Sequence, residues 1–461
     1  MWLMKDTPSL FTDLYELTMA QVYFRKQMTG TAYFEVSVRR LPENWGFFVM
    51  AGLSEVDSYL REFRFSKTDV NFLRSTKLFS DDFLQFLATL KPDVKIRSLT
   101  EGTVFFPNEP IFEVTGPLIC AQLLESYILN ILGFSIIQAT LATRISIAAK
   151  GAAVVDFGLR RCQGPVASLR SARGAQIAGF RATSNMFAAK ELNFAPSGTM
   201  AHSFVHVHES QEQSFRNFTE AYGENSILLV DTYDSVEGIK AAANLARQVH
   251  EEKGIKIRGV RIDSGDLVKL SNFARRHFQE KGVSFLKIFV SGDLDEFKID
   301  NLLKQGGQID GFGIGTRFAV SRFAPAIEII YKIVQYGSKG VFKTSPGKQT
   351  RPGRKTIIRI TRTRVTRETG TSKGKYYERD IISPLQSQPS NAGSRPVWPP
   401  DRSKPAVGGD DLLKPLESVV LGTPYGEQIQ TIQKRLATEL SLLDDSIKAI
   451  RNPEKYHVEF A

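Results

Sequence analysis

The octapeptide VRIDSGDL, residues 260–267, sets Arg261 and Asp263 two positions apart, so in a strand both side chains leave on one face. A guanidinium beside a carboxylate suits a ligand carrying an anion and a diol: the first forks onto the anion, the second accepts from the hydroxyls. On its own the pair fits equally well a surface ion pair followed by a helix cap at Ser264 or Asp266. Upstream, VDTYDSVEG contributes Asp231 and Asp234, acids that suit sugar hydroxyls or Mg²⁺. VSGDLDE and DGFGIGT contribute Gly292, Gly313, Gly315 and Thr316, and backbone N–H groups freed by glycine at helix starts make a phosphate cradle. VDFGLRRCQGP places Phe157 just ahead of Arg160 and Arg161, a combination that suits a flat anionic ring, or a core phenylalanine with exposed arginines. Together these residues describe a pocket for a ribose, its phosphates and an aromatic carboxylate. That is the chemistry of phosphoribosyl transfer.

A second segment, PSGTMAHSFVHVHES, concentrates His202, His206 and His208 within seven positions. Metal ligands, a proton-handling centre and ordinary strand residues all fit that spacing. If His202 ends a strand, the other two lie about 13–20 Å further along an extended chain, at roughly 3.3 Å per residue. They then cannot share one ion with it without a sharp turn in the chain.

The elements that must carry these residues show in the texture of the chain. From 153 to 316 one theme recurs: a short apolar run, a polar loop, then an amphipathic helix. Strand ends are expected at Asp231, Asp263, Gly292 and Gly313, and spacings of 32, 29 and 21 residues suit successive units of a parallel sheet or barrel. In such barrels the loops after the strands open on one face, where chemistry sits. Before this region the chain mixes a helical FTDLYELTMAQVYFRK, a strand-like TAYFEVSV, a strand pair in GTVFFPNEPIFEVTGP and a long apolar helix near 119–150. After 330 strands return, then a Pro- and Ser-rich stretch, 383–411, expected as an irregular loop, and a final amphipathic helix. The expected fold class is α/β. Residues 119–331 form the barrel, and 1–118 with 332–461 form one discontinuous domain.

Composition narrows the setting. With 461 residues, 42 % hydrophobic and 24 % charged, the chain has the balance of a globular protein with more than one core. The start, MWLMKDTPSLFTDLYELT, carries early acids and no secretory apolar core, and no uninterrupted apolar run of membrane-spanning length is present. Cys120 and Cys162 are too few for a disulfide framework, so a cytoplasmic location is expected. Residues 332–380 hold seven Lys and seven Arg against Glu368, Glu378 and Asp380, which equals the whole net charge of +11. This block fits a solvated strand pair with Arg362 and Arg364 on one face, or attraction of substrate phosphates. No stacking aromatics interleave with its arginines, which argues against nucleic acid.

The motifs, in order, resemble the nicotinate phosphoribosyltransferase family along nearly the whole chain: LFTDLYELTMAQVY, EGTVFFPNEPIFEVTGPLICAQLLE, DFGLRRCQGP, GTMAHSFV, LLVDTYDSVEG, VRIDSGDL, GFGIGT, then YKIV, PGRK and RNPEKYHVEF. The resemblance implies joining of nicotinate to 5-phosphoribosyl diphosphate, coupled to ATP through a phosphohistidine at His202, with Mg²⁺ as cofactor. It implies that Phe157 stacks on the pyridine, that Arg160 lies near the substrate anions, and that Thr199 and Arg261 hold nicotinate or its neighbourhood. Asp263 would bind the ribose, Gly315 and Thr316 the 5-phosphate. Tyr15 would reach in from the partner subunit of a homodimer, and the barrel would be irregular and TIM-like beside a sandwich-like domain. Met200 stands where nicotinamide-specific relatives carry an aspartate, which favours nicotinate. Where relatives commonly read SNDLDE this chain reads SGDLDE, and SRFAPAIEIIYKIV is less polar than its counterparts. Competing readings are a nicotinamide or quinolinate phosphoribosyltransferase, a zinc-dependent barrel hydrolase using the three histidines, and a nucleic-acid-binding module using the basic block.

Overall fold

The computed structural model describes residues 8–345, 348–365, 372–385, 410–412, 414–415 and 427–461. The chain divides into two compact units, 1–137 with 326–461, and 138–325. The division falls inside the helix Glu125–Ala148, not ahead of it at 119. The reason is packing. Gly52 lies against Ser135 and Gly133 against Ile329, whereas Gly174 lies against Gln138 and Ala139. The stretch Leu118–Ala148 is apolar and long enough to cross a membrane by length and composition, and 83 % of its apolar window is buried within the protein.

The first unit is built on an antiparallel sheet of six strands. Its central strand Thr31–Val38, the expected TAYFEVSV, pairs with Ile329–Tyr336 on one side and Phe112–Pro117 on the other. The strand pair expected in 102–117 does not form. Val104–Phe105 pairs with Phe48–Val49, while Phe112–Pro117 pairs with Thr31–Val38 and Lys95–Ser98. Proximity in sequence does not fix pairing when more distant strands bury the same apolar face better.

A second sheet of this unit pairs Lys355–Val365 with Ser372–Pro384. Here part of the basic block is paired with carboxylates. Arg354 forks onto Glu113, Lys355 meets Glu35 at 2.9 Å, and Arg362 meets Glu378 at 2.6 Å. Arg359 is buried between Asp380 and Glu439, so it belongs to the core and not to a solvated face. The side chain of Arg364 and most of the Pro-rich stretch, 386–409, lie outside the described residues.

The second unit carries a six-stranded parallel sheet. Its strands are β1 Ala153–Asp156, β2 Ala182–Thr183, β3 Ile227–Leu229, β4 Gly259–Ile262, β5 Lys287–Val290 and β6 Gly311–Ile314. Their order is β2-β1-β6-β5-β4-β3, with every adjacent pair parallel. The strands alternate in burial: Leu228, Val260, Ile262, Ile288, Val290 and Ile314, which share one face of the sheet, are fully buried, whereas Arg261 and Phe289 on the other face are half-buried. Capping then fixes where each following helix starts. Asp234, Asp266 and Asp295 accept from the backbone N–H three residues on, opening Ser235–Lys253, Leu267–Glu280 and Glu296–Lys304. The polar loops therefore gather at the carboxyl ends of the strands. The chain thus has a mixed α/β fold with a parallel sheet, as the sequence pattern leads one to expect.

Candidate active site

The loops following β3, β4 and β5 interlock through side-chain hydrogen bonds, and Phe157 after β1 lies beside Arg261 of β4. At the end of β4 the Asp263 backbone N–H donates to Asp231 Oδ2 at 2.9 Å, and Ser264 Oγ donates to the same oxygen at 2.6 Å. The other oxygen of Asp231, Oδ1, is buried with no partner among the described residues. Ser291 donates to Asp263 Oδ1, which orients the carboxylate. Gly292 follows in a left-handed conformation (φ +98°), and a Cβ there would sit 2.0 Å from the Asp263 carbonyl oxygen. A side chain at 292 would therefore push the 291–295 turn off Asp263. Beside this carboxylate a cleft of about 470 Å³ opens between the starts of two helices, lined by Asp263, Ser264, Gly265, Gly292, Leu294 and Lys298.

Arg261 is the penultimate residue of β4. Its Nη2 donates to the Met200 carbonyl at 3.2 Å, while its Nε is buried without a partner. Burial pulls its pKa down, with Asp263 and Asp231 acting in the opposite direction and Arg160 adding to the fall. Arg160 thus lies close enough for its charge to act on Arg261, although its side chain is on an exposed 3₁₀ turn, Leu159–Arg161. The guanidinium sits 5.9 Å from the centre of the Phe157 ring. A desolvated cation with an unused donor beside an aromatic face is built to take a flat anion.

Phe157 is held from three directions. Its N–H donates to the Ile314 carbonyl at 2.7 Å. Asp156, just before it, accepts from Gly158 N at 2.8 Å and Thr183 Oγ1 at 2.7 Å, fastening the turn. Burial raises the Asp156 carboxyl, and these two hydrogen bonds work against the rise. Gly313 makes room for the ring: a Cβ there would fall 2.5 Å from Phe157 Cε2. Strand β6 also runs on to Ile314, so Gly313 lies inside it, paired with Val155. Gly315 and Thr316 do sit at the turn leaving β6, where Thr316 opens a short helix. Gly313→Ala is expected to displace the ring, costing about 1–3 kcal/mol of stability and raising KM for the aromatic substrate more than it lowers kcat. Thermal melting and steady-state kinetics of the variant check both.

The histidines do not lie in a strand. Residues His202–His206 form a short helix, because the chain turns after the exposed Ala201 and buries Val205. The extended-chain separation of His202 and His206 therefore does not apply: four residues apart in a helix, they lie one turn from each other. Their partners nevertheless differ. His202 Nδ1 lies 3.1 Å from Thr232 Oγ1, His206 Nδ1 lies 3.3 Å from the Tyr233 hydroxyl, and His208 Nδ1 lies 2.7 Å from the Phe204 carbonyl. Among the described residues, no group of three or more His, Cys, Asp or Glu is arranged to hold a metal ion. Asp234 is exposed, with Oδ1 engaged as the helix cap, whereas Asp231 keeps a free buried oxygen. Thr199 Oγ1 contacts the Met200 carbonyl at 3.4 Å, in the loop that supports Arg261. Tyr15 belongs to the first unit, 45 % exposed on helix Leu14–Arg25, its phenol pKa raised by burial and by Glu125.

Thr232, Ser291 and Asp156 were not legible as site residues. Each sits next to a recognisable one, and only tertiary contact shows what its side chain holds.

The chain has counterparts among known proteins. The sequence profile of the nicotinate phosphoribosyltransferase (NAPRTase) N-terminal domain matches residues 10–133, and that of the NAPRTase family matches 152–354. A nicotinate phosphoribosyltransferase of Mycobacterium tuberculosis is 42 % identical over 351 residues, covering 76 % of this chain and 75 % of that protein. The Bacillus subtilis nicotinate phosphoribosyltransferase is 34 % identical, covering 99 % and 93 %. The crystal structure of the human nicotinic acid phosphoribosyltransferase superposes with a TM-score of 0.77 at 26 % identity, over 98 % of this chain and 97 % of that one.

Proposed function

The chain belongs to the nicotinate phosphoribosyltransferase family, and from that premise we propose that it joins nicotinate to 5-phosphoribosyl diphosphate, forming nicotinate mononucleotide and pyrophosphate for NAD biosynthesis. The observation that carries the choice of substrate is Arg261: a buried guanidinium with an unused Nε beside the Phe157 ring matches a pyridine carboxylate. In this reaction the pyridine nitrogen lone pair forms the bond to ribose C1, and the C1–oxygen bond breaks, its electrons leaving with pyrophosphate. The ribose gains oxocarbenium character on the way. Asp263 holds the ribose hydroxyls, and its charge, with that of Asp231, stabilises the developing positive charge. Gly315 and Thr316 hold the 5-phosphate, and Thr199 and Arg160 complete the anion side of the pocket.

A Mg²⁺ ion fits the free, buried Oδ1 of Asp231, since this ion binds through one or two carboxylates together with substrate phosphates. When bound it would offset the charge of the departing pyrophosphate. Asp234 is the weaker ligand because it already caps a helix. His202 takes a phosphoryl group from ATP, with Thr232 steadying its ring, and the phosphorylated state favours binding of the sugar diphosphate. Mass spectrometry after incubation with ATP tests this step: label at His202, absent in His202→Ala, is expected, and label elsewhere or none would remove ATP coupling from the proposal.

The parallel sheet is best understood as the wall of an irregular TIM-like barrel, and the first unit as a sandwich-like domain drawn from both parts of the chain. Exposed Leu14, Tyr15 and Val22 along one helix support a homodimer in which Tyr15 faces the partner's site. Two free cysteines, Cys120 and Cys162, accord with a reducing, cytoplasmic setting.

Met200 sharpens the selectivity. It is buried, and its carbonyl braces Arg261. An aspartate in its place would put a carboxylate beside that guanidinium, competing with nicotinate and repelling it. Met200→Asp is expected to raise KM for nicotinate by about tenfold or more while improving nicotinamide relative to it. Competing-substrate kinetics check the ratio.

A further inference from the structure

Arg317 comes directly after Gly315 and Thr316, the turn assigned to the 5-phosphate. A cation there invites the role of phosphate ligand, but its contacts give it another task. Nε donates to Asp293 Oδ1 at 2.7 Å and Nη2 to Asp293 Oδ2 at 2.5 Å, a two-pronged fork, while Nη1 donates to Asp295. The Arg317 side chain is 16 % exposed and that of Asp295 4 %. All three guanidinium nitrogens are therefore committed to carboxylates in a partly desolvated setting, where planar forks hold geometry best.

The carboxylates are fixed in turn. Lys298 Nζ reaches Asp293 at 3.2 Å, and Asp295 caps the helix Glu296–Lys304 by accepting Lys298 N at 2.8 Å. Asp293 has φ +51°, a left-handed conformation that a non-glycine residue keeps only when its surroundings impose it. The opposite end of the same turn is locked to the ribose side of the site, through the Ser291 hydroxyl on Asp263 and the close approach of Gly292 to the Asp263 carbonyl. Residues 291–295 thus join two places that one ribose phosphate must span.

We propose that Arg317 is a positioning residue, which through Asp293 and Asp295 holds the Gly315–Thr316 turn at the spacing from Asp263 that the ribose 5-phosphate requires, and does not itself bind phosphate. The inference rests on the assignment of Asp263 to the ribose and of Gly315 and Thr316 to its phosphate. The Arg317 fork holds the Asp293 carboxyl down to about 2, so the clamp stays charged throughout the neutral range. A phosphate drawn to Arg317 would meet those two carboxylates.

Steady-state kinetics of Arg317→Ala and Asp293→Asn test this, with thermal melting to establish that each is folded. In Arg317→Ala, KM for 5-phosphoribosyl diphosphate should rise about tenfold, as expected for a binding group misplaced by a fraction of an ångström, while KM for nicotinate moves less than about twofold. Asp293 is half exposed, so its substitution is the gentler variant. The clamp requires KM for the sugar diphosphate to rise there too, whereas an arginine that binds phosphate directly would be released by the loss of its partner and KM would fall. A fall in Asp293→Asn, or a loss of kcat in both variants with unchanged KM, overturns the proposal. Turnover by the wild-type protein tests the underlying assignment separately. If wild type binds ribose 5-phosphate without turnover, calorimetry with ribose 5-phosphate judges the clamp: weaker binding in both variants supports it, and equal or tighter binding overturns it.

Discussion

Replacing Arg261 by methionine is expected to raise KM for nicotinate by about a hundredfold, the result of losing a charge-assisted contact worth about 3 kcal/mol in a buried setting. The size follows from the environment of the guanidinium. Its Nε is shielded from water and unpaired, so the bound carboxylate replaces no competing partner there. Its Nη2 is already spent on the Met200 carbonyl, which fixes the plane of the fork. Methionine keeps much of the volume beside Phe157 and removes only the charge and the donors. Lysine keeps the charge but loses the planar fork, and a rise of about tenfold is expected for it. The measurement is KM for nicotinate at saturating sugar diphosphate. Because nicotinamide carries no charge, its KM in Arg261→Met should change far less, and an equal loss for both pyridines would show that the residue acts on the fold of the pocket instead.

Asp263→Asn is expected to lower kcat by about 10²- to 10³-fold, in the range seen when one element of a preorganised electrostatic site is removed, with little change in KM for nicotinate. Asparagine is nearly isosteric and its Oδ1 still accepts from Ser291, while the backbone contact with Asp231 is independent of the side chain. Shape is kept and charge is lost. The effect should therefore appear in the step that develops positive charge on the ribose, and single-turnover rates separate that step from product release. An unchanged rate would mean that Asp231 alone carries the electrostatic work.

The strands of the second unit were legible because short, mostly apolar runs such as 227–230 and 288–290 end in polar loops, and because helix caps are locally encoded. That Phe157, Arg261 and Asp263 lie at strand ends was legible because each closes or follows a short apolar run. Gly292 and Gly313 also make room for the Asp263 backbone and the Phe157 ring, a role that nothing local in the sequence distinguishes from a phosphate turn. HSFVH, expected at the end of a strand, is a helical turn, because five residues carry too little periodicity to oppose the packing of Val205. The pairing of 104–105 and 112–117 was hidden for a related reason: partner choice in an antiparallel sheet is settled by distant strands. The clamp at Arg317 was hidden too, since its partners lie more than twenty residues away.

The most direct test of the central claim is a comparison of initial rates with nicotinate, nicotinamide and quinolinate, each with 5-phosphoribosyl diphosphate, Mg²⁺ and ATP, on the intact chain. Release of pyrophosphate and formation of nicotinate mononucleotide are expected, with kcat/KM for nicotinate at least about a hundredfold above that for nicotinamide. Preference for nicotinamide, or turnover of quinolinate with carbon dioxide released, would contradict the assignment of the Arg261–Phe157 pocket to nicotinate.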